Sequence, residues 1–249
     1  MAAKEVGLRL AVGCRLAFCD GTPDILAWPR DRQAYGRLTR LLTIGNRRAP
    51  KGECHLTVED LVAWGEGLVL APIPAPEEEA SLEALLVRLR EVFADRPRLA
   101  VALGYGADDH RRLERLAEIA RKAGVSLLAT NDVLYHVAER RPLQDVLTCI
   151  RLHETLESAG RRLQANAERH LKGAEAMAHV FRVAPEALAE TVAVLESLTF
   201  SLDDLAYEYP EEATGLSATP QQELERLTWL GAQRRYPPGV PPRVETTIR

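Results

Sequence analysis

Short apolar runs alternate with longer segments of helical periodicity between residues 67 and 151, and this alternation constrains the fold more than any other feature of the chain. GLVLA (residues 67–71), LAVAL (residues 99–103) and the run carrying Val125, Leu127 and Leu128 are too short for helices and suit buried strands. Between them, residues 81–93 place Leu82, Leu85, Leu86 and Leu89 on one face, and residues 111–123 read as a second helix stopped by Gly124. Buried strands separated by helices predict an α/β layer with parallel strands. In such a layer the loops at the carboxyl ends of the strands hold the chemistry. That directs attention to TNDVLYHVAERRPLQDVLTCIR, residues 130–151, where a polar segment with Asp132 and His136 follows the last strand. A helix follows from near Pro142, with Leu143, Val146, Leu147 and Ile150 recurring as one apolar face.

The flanking sequence extends the pattern less regularly. Residues 8–18, broken by Gly13, read as one strand or a kinked pair. Asp31 opens a helix with Tyr35, Leu38, Leu41 and Leu42 inward, expected to stop at Gly45. A basic loop follows at residues 47–53, then a short helix capped by Thr57. PIPAPEEE (residues 72–79) reads as a surface insertion, because its prolines cannot donate to a ladder. Asp108 and Asp109 could pass for paired carboxylates, but they stand where a helix start wants an acidic cap. From residue 174 the pattern is helical. Residues 177–181 and 185–198 are two such segments, the second with Leu188, Val192 and Leu195 inward, followed by a turn or capping box at residues 201–204. Residues 207–220 read as extended and turn-rich, and residues 221–236 as a final helix with Leu224, Leu227 and Leu230 inward.

Composition narrows the function classes. The formal net charge is −4, so any affinity for nucleic acid has to come from local clusters of arginine. No apolar run is long enough to span a bilayer and the first residues lack a signal sequence, so a cytoplasmic, membrane-free protein is expected. Four isolated cysteines with no C-x-x-C pair fit reduced thiols. A metal site through Cys54 and His55 is opposed by the opposite directions of adjacent side chains on a strand. Phosphate-binding glycine loops, the G-x-S-x-G turn, H-E-x-x-H and D-x-D are all absent. Asp132 and His136 remain as candidate metal ligands, against the alternative that Asp132 bonds its own loop and His136 sits at the surface. Arg140, Arg141, Arg161, Arg162 and Arg169, with His170 and Lys172, form either solvated loop charge or a phosphate-facing ridge.

The same blocks resemble a known family. TNDVLYHVAERRPLQDVLTCIR, AGRRLQANAERHLK (residues 159–172), FSLDDLAYEYP (residues 200–210) and LTWLGAQRRYPPGVP (residues 227–241) are similar to consecutive blocks of the bacterial error-prone DNA polymerases. VGCRLAF and YGRLTRLLTIGNRRAPKGEC, residues 12–18 and 35–54, agree in the same order. These enzymes are C-family relatives of the replicative DNA polymerase III alpha subunit. The resemblance implies an α/β chain holding an incomplete polymerase-and-histidinol-phosphatase (PHP) barrel, TIM-like and about seven-stranded in the family. A truncated PHP domain would occupy residues 1–205, its first strands and early metal motifs missing, and a helical connection toward an absent polymerase palm would occupy residues 206–249.

The resemblance also aligns Arg15 with a metal-binding glutamate of the family, and Asp132 with the aspartate of a late D-x-H whose histidine is replaced by Leu134, leaving His136 displaced. The expectation is a degenerate metal site, with no cofactor bound by this chain and Mg²⁺ belonging to the full-length enzyme. The chain would then be a fragment of a DNA polymerase of damage tolerance and translesion synthesis, inactive alone, reaching DNA and other translesion proteins through the full-length enzyme. Four visible strand candidates are too few to close seven, which leaves an open apolar edge. A free-standing PHP metal-dependent phosphoesterase using Asp132 and His136, and a non-catalytic scaffold binding DNA or partners through its arginines, are the alternatives.

Overall fold

A computed structural model describes residues 2–74, 79–94, 97–206 and 219–248. The chain divides into two compact units, Met1–Leu205 and Ala206–Arg249. Among its described residues the first has five strands: β1 (Cys14–Leu16), β2 (Ile25–Pro29), β3 (Leu68–Pro72), β4 (Arg98–Ala102) and β5 (Ser126–Thr130). β2 lies between β1 and β3 and is antiparallel to both, with Leu16 opposite Ile25 and Ile25 opposite Pro72. β4 and β5 are parallel in register, Arg98 against Ser126 through Ala102 against Thr130. One parallel bridge, Leu70 to Pro97, joins the two groups.

The three runs between residues 67 and 130 are the strands β3, β4 and β5, but two other expectations change. Of residues 8–18 only Cys14–Leu16 is a strand, and Leu8 and Leu10 are exposed. β2 has no counterpart in the pattern reading. Its sequence, ILAWP, is bounded by prolines, and the ladder tolerates Pro29 because it is the last residue of the strand. An antiparallel β2 makes the β1–β3 part of the layer non-parallel, contrary to the uniform parallel layer expected.

Helices cover this layer. α1 is the short Ala2–Glu5, and α2 spans Arg32–Arg48, where the Asp31 carboxylate accepts from the Ala34 N–H at 2.8 Å. α2 runs through Gly45 instead of stopping there. A Cβ at that position would stand 2.6 Å from Cys54 Sγ and 2.7 Å from Leu56 Cδ2, so glycine serves close packing and not a helix stop. α3 (Val58–Trp64) has the expected Thr57 cap, in a box with Asp60. α4 (Glu79–Phe93) buries Leu82, Leu86 and Leu89. α5 (Asp109–Ala123) ends at Gly124 in the left-handed conformation, φ 66°.

α6 (Arg141–Leu152), α7 (Leu156–Ala159), α8 (Ala174–Val180) and α9 (Pro185–Ser197) complete the first unit. On α9 the buried row is Ala187 and Val194, with Thr191 donating to the Ala129 carbonyl at 2.8 Å, while Val192 is exposed. The second unit holds α10 (Pro220–Arg235) and α11 (Pro242–Ile248), and Leu224 and Leu227 of α10 are exposed, not inward. Most of the extended stretch expected at residues 207–220, and part of the proline-rich insertion at residues 72–79, lie outside the described residues.

Side chains alternate across the layer as the pleat requires. Leu68 and Leu70 of β3 join a core with Leu16, Ile25, Leu41 and Leu89, while Val69 and Ala71 face the other side with Ala100, Leu128, Val194 and Leu198. Leu99, Val101, Leu127 and Ala129 pack with α4, α5, Phe181 and Ala187. β3, β4 and β5 run in one direction, so the segments that follow Pro72, Ala102 and Thr130 leave from the same end of the layer.

Candidate functional site

The segment after β5 is tied down by its own polar side chains. Thr130 Oγ1 accepts from the Asp132 N–H at 3.2 Å, and Asp132 itself adopts a left-handed backbone, φ 40°. Asn131 is buried and donates from its amide to the carbonyls of Glu168 at 3.0 Å and His170 at 2.5 Å. Leu134 N–H to Arg169 O (2.9 Å) and Leu171 N–H to Tyr135 O (3.0 Å) then zip residues 134–135 against residues 169–171. Tyr135 is buried in this seam, and burial pushes its phenol up from the ordinary value.

The seam delivers Arg169 to Asp132. Its Nε donates to the Asp132 carbonyl at 2.7 Å, and Nη2 pairs with carboxylate Oδ2. The other oxygen, Oδ1, faces Arg15 Nη1 at 3.2 Å, and Arg15 Nε donates to Asp24 Oδ2 at 2.6 Å. Arg15 lies in β1 and Asp24 just before β2, so the ends of β1, β2 and β5 contribute to a row of alternating charge, Asp24, Arg15, Asp132, Arg169. Beside it opens a cleft of about 330 Å³, lined in part by Asn131, Asp132, Arg169, Asn166, Asp109 and Arg112. Asp109 accepts from the Gly104 and Gly106 N–H groups at 2.8 and 3.0 Å, and Asn166 donates to the Gly104 carbonyl at 2.5 Å.

Several expectations are redistributed by this geometry. Asp132 is engaged by two arginines. His136 is exposed beyond Tyr135, and no hydrogen bond or ion pair joins it to Asp132 among the described residues. Among the described residues no group of three or more His, Cys, Asp or Glu is placed to hold a metal ion, Cys54 and His55 included. Asp108 occupies the N-cap position of α5 without a side-chain capping bond, and Asp109, the acid of the first turn, accepts from the loop N–H groups before the helix, so the pair stands at the helix start as expected but does not cap the helix's own N–H groups.

The arginines also separate. Arg141 donates to the Gln164 carbonyl at 2.6 Å, Arg162 pairs with Glu154 at 2.5 Å, and Arg169 holds Asp132. Arg140 and Arg161 are exposed, with no side-chain partner among the described residues. Lys172 is nearly buried against Glu168, 3.1 Å away, so residues 169–172 form no open phosphate ridge. Arg47 and Arg48, expected in the basic loop at residues 47–53, belong to the last turn of α2, and Arg48 grips Asp60 with two bonds of 2.5 and 2.8 Å. This bond, above all, holds the Asp60 carboxyl below the usual carboxylate range. Asp24 escaped the sequence reading, because a lone acid in a Thr-Pro-Asp turn carries no signal for a partner across the sheet.

No family model matches the chain. Its sequence is 50% identical over 241 residues to the error-prone DNA polymerase of Rhodopseudomonas palustris, a match covering 96% of this chain and 22% of that protein. The chain belongs to the error-prone DNA polymerase family, as a portion of its length. The error-prone DNA polymerase of Caulobacter vibrioides is 47% identical over 248 residues, covering all of this chain and 23% of that protein. That of Mesorhizobium japonicum is 52% identical over 243 residues, 96% of this chain and 22% of the relative. The chain therefore spans less than a quarter of the length of these curated relatives. No described helix is long and apolar enough to cross a membrane.

Proposed function

We propose that the chain is the PHP-type portion of an error-prone, DNA-directed DNA polymerase of damage tolerance, in which a former metal centre has become an ion-paired structural cluster. In this reading residues 1–205 are an incomplete PHP barrel and residues 206–249 a helical connection toward the polymerase palm. Nucleotide addition, its Mg²⁺, DNA and any other translesion proteins belong to the full-length cytoplasmic enzyme. The chain alone neither polymerises nor hydrolyses.

The observation that carries the reading is the Asp132 carboxylate held between Arg15 and Arg169. These donors do not fit a divalent cation. Two unit charges 4 Å apart interact by about 1 kcal/mol in bulk water and about 4 kcal/mol at an effective dielectric of ~20, so a divalent ion at Asp132 would meet roughly 2–8 kcal/mol of repulsion from one such guanidinium. A guanidinium has no lone pair to coordinate with, and His136 is not brought to Asp132 to compensate. In its place the row lets two arginines satisfy one carboxylate and tie β1 and Arg169 to the segment after β5. Purified chain given primed template, Mg²⁺ and deoxynucleotides is expected to show no extension, and none of p-nitrophenyl phosphate is expected to be cleaved with Mn²⁺ or Zn²⁺. Hydrolysis abolished by Asp132→Ala would favour a free-standing PHP phosphoesterase instead.

A non-catalytic DNA-binding role is favoured by one further observation: Arg140 and Arg161 are exposed without side-chain partners among the described residues. Single-stranded and duplex DNA retention measured across a salt series tests it. A slope that Arg140→Gln and Arg161→Gln together reduce by about two is the expected result for two phosphate contacts.

A further inference from the structure

α6 is mounted with its amphipathic faces reversed. Cys149 is its buried residue, and Arg141, Gln144, Asp145 and Thr148 are partly buried beside it. Arg141 and Asp145 form an ion pair along the inner side, and Arg141 also holds the Gln164 carbonyl. Leu143, Val146, Leu147 and Ile150 face outward, 51%, 41%, 51% and 64% exposed. A surface helix ordinarily presents the opposite arrangement to its own core. Four adjacent half-exposed aliphatic side chains amount to about 300–400 Å² of apolar surface, within the range of the largest patch on a typical monomer, which is often functional.

We infer that this face is an interdomain contact, covered by an apolar surface of the longer polymerase polypeptide outside the region matched here. Three facts select that occupant. The relatives carry more than three quarters of their length outside the match, so a large covalently attached body is available in each of them. The patch is also at most about half of the roughly 800 Å² per partner that a stable association of separate molecules needs, which disfavours a second copy. Tethering supplies a millimolar effective concentration, at which a small apolar contact suffices. Finally, Arg151 stands in the last turn of the helix, exposed without a side-chain partner among the described residues, so the covering surface is apolar at its centre and acidic where it meets Arg151.

The inference rests on the family membership and not on the state of the Asp132 cluster, so a failed metal experiment and a failed docking experiment are distinguishable. Hydroxyl-radical footprinting of the isolated chain and of the intact Rhodopseudomonas palustris enzyme, normalised to each residue's intrinsic reactivity, tests it directly. Leu143, Leu147 and Ile150 are expected to oxidise freely in the isolated chain at every concentration, and the aligned positions to be protected about tenfold in the intact enzyme. Val87, exposed on α4, is the reference for unspecific shielding. Equal oxidation of the helix in both proteins overturns the inference. So does protection in the isolated chain that grows with concentration, which would assign the face to a second copy.

Discussion

Asp132→Asn removes the one negative charge between Arg15 and Arg169 while keeping the size of the side chain, and its effect can be worked from the geometry. The Asp132 and Arg169 side chains are 22% and 24% exposed, so their charge-assisted bond is partly shielded from water and contributes about 1.5–3 kcal/mol. Arg15 is 45% exposed, and its 3.2 Å pair with Asp132 contributes no more than about 0.2–1 kcal/mol. The carboxamide retains one acceptor, so a net loss of about 1.5–3 kcal/mol is expected. For a unit of this size each kcal/mol moves the melting temperature by roughly 2–4 °C, giving a fall of about 3–12 °C. The assay is a thermal melt followed by circular dichroism, with and without EDTA. If Asp132 served an ion instead, chelator would destabilise the wild type, by about 2.7 kcal/mol where the ion had been present at a hundred times its Kd. The reasoning is refuted if Asp132→Asn melts within a degree of the wild type, or if EDTA lowers the wild-type transition. A double-mutant cycle with Arg169→Gln should return a coupling of about 1 kcal/mol or more.

Further predictions concern other parts of the first unit. The folded-state Asp60 carboxyl lies below its unfolded value, chiefly through Arg48, so the pair stabilises above the ordinary aspartate range and is lost as pH falls through the depressed value. Acid titration of stability should therefore be shallower in Asp60→Asn than in the wild type, and equal slopes would contradict this assignment. Gly45→Ala forces a Cβ to within 2.6 Å of Cys54 Sγ and should cost about 1–3 kcal/mol in urea denaturation despite the better helix propensity of alanine. Burial, aided by the nearby Cys54 thiol, pushes Cys14 up to about 11, so at pH 8 a disulfide reagent should label exposed Cys19 well before Cys14. Mass-spectrometric mapping in which Cys14 reacts first would be inconsistent with that burial.

What the sequence made legible was local, and what it concealed was contributed by distant partners. The strands at residues 67–71, 99–103 and 125–128 could be found because consecutive apolar side chains bury both faces of the layer. Gly124 and Thr57 could be read because a left-handed stop and a capping box are decided within a few residues. β2 was hidden because ILAWP looks like a proline-bounded turn until the ladders of β1 and β3 are present on either side. The apolar periodicity of α6 was visible, but periodicity does not say which face meets this chain's own core. Arg15 drew attention through the family resemblance alone, and its partner Asp132 lies 117 residues away. Arg169 read as surface charge because the seam that carries it 37 residues back to Asp132 is formed by backbone bonds with no sequence pattern.

Titrating chelator-treated wild-type chain and Asp132→Ala with Mn²⁺ and Zn²⁺ by calorimetry, and then measuring retained metal after gel filtration, asks whether two arginines have displaced an ion at Asp132. Identical, sub-stoichiometric uptake by both proteins is the result expected. One equivalent of tightly held metal in the wild type, lost in Asp132→Ala, would contradict it.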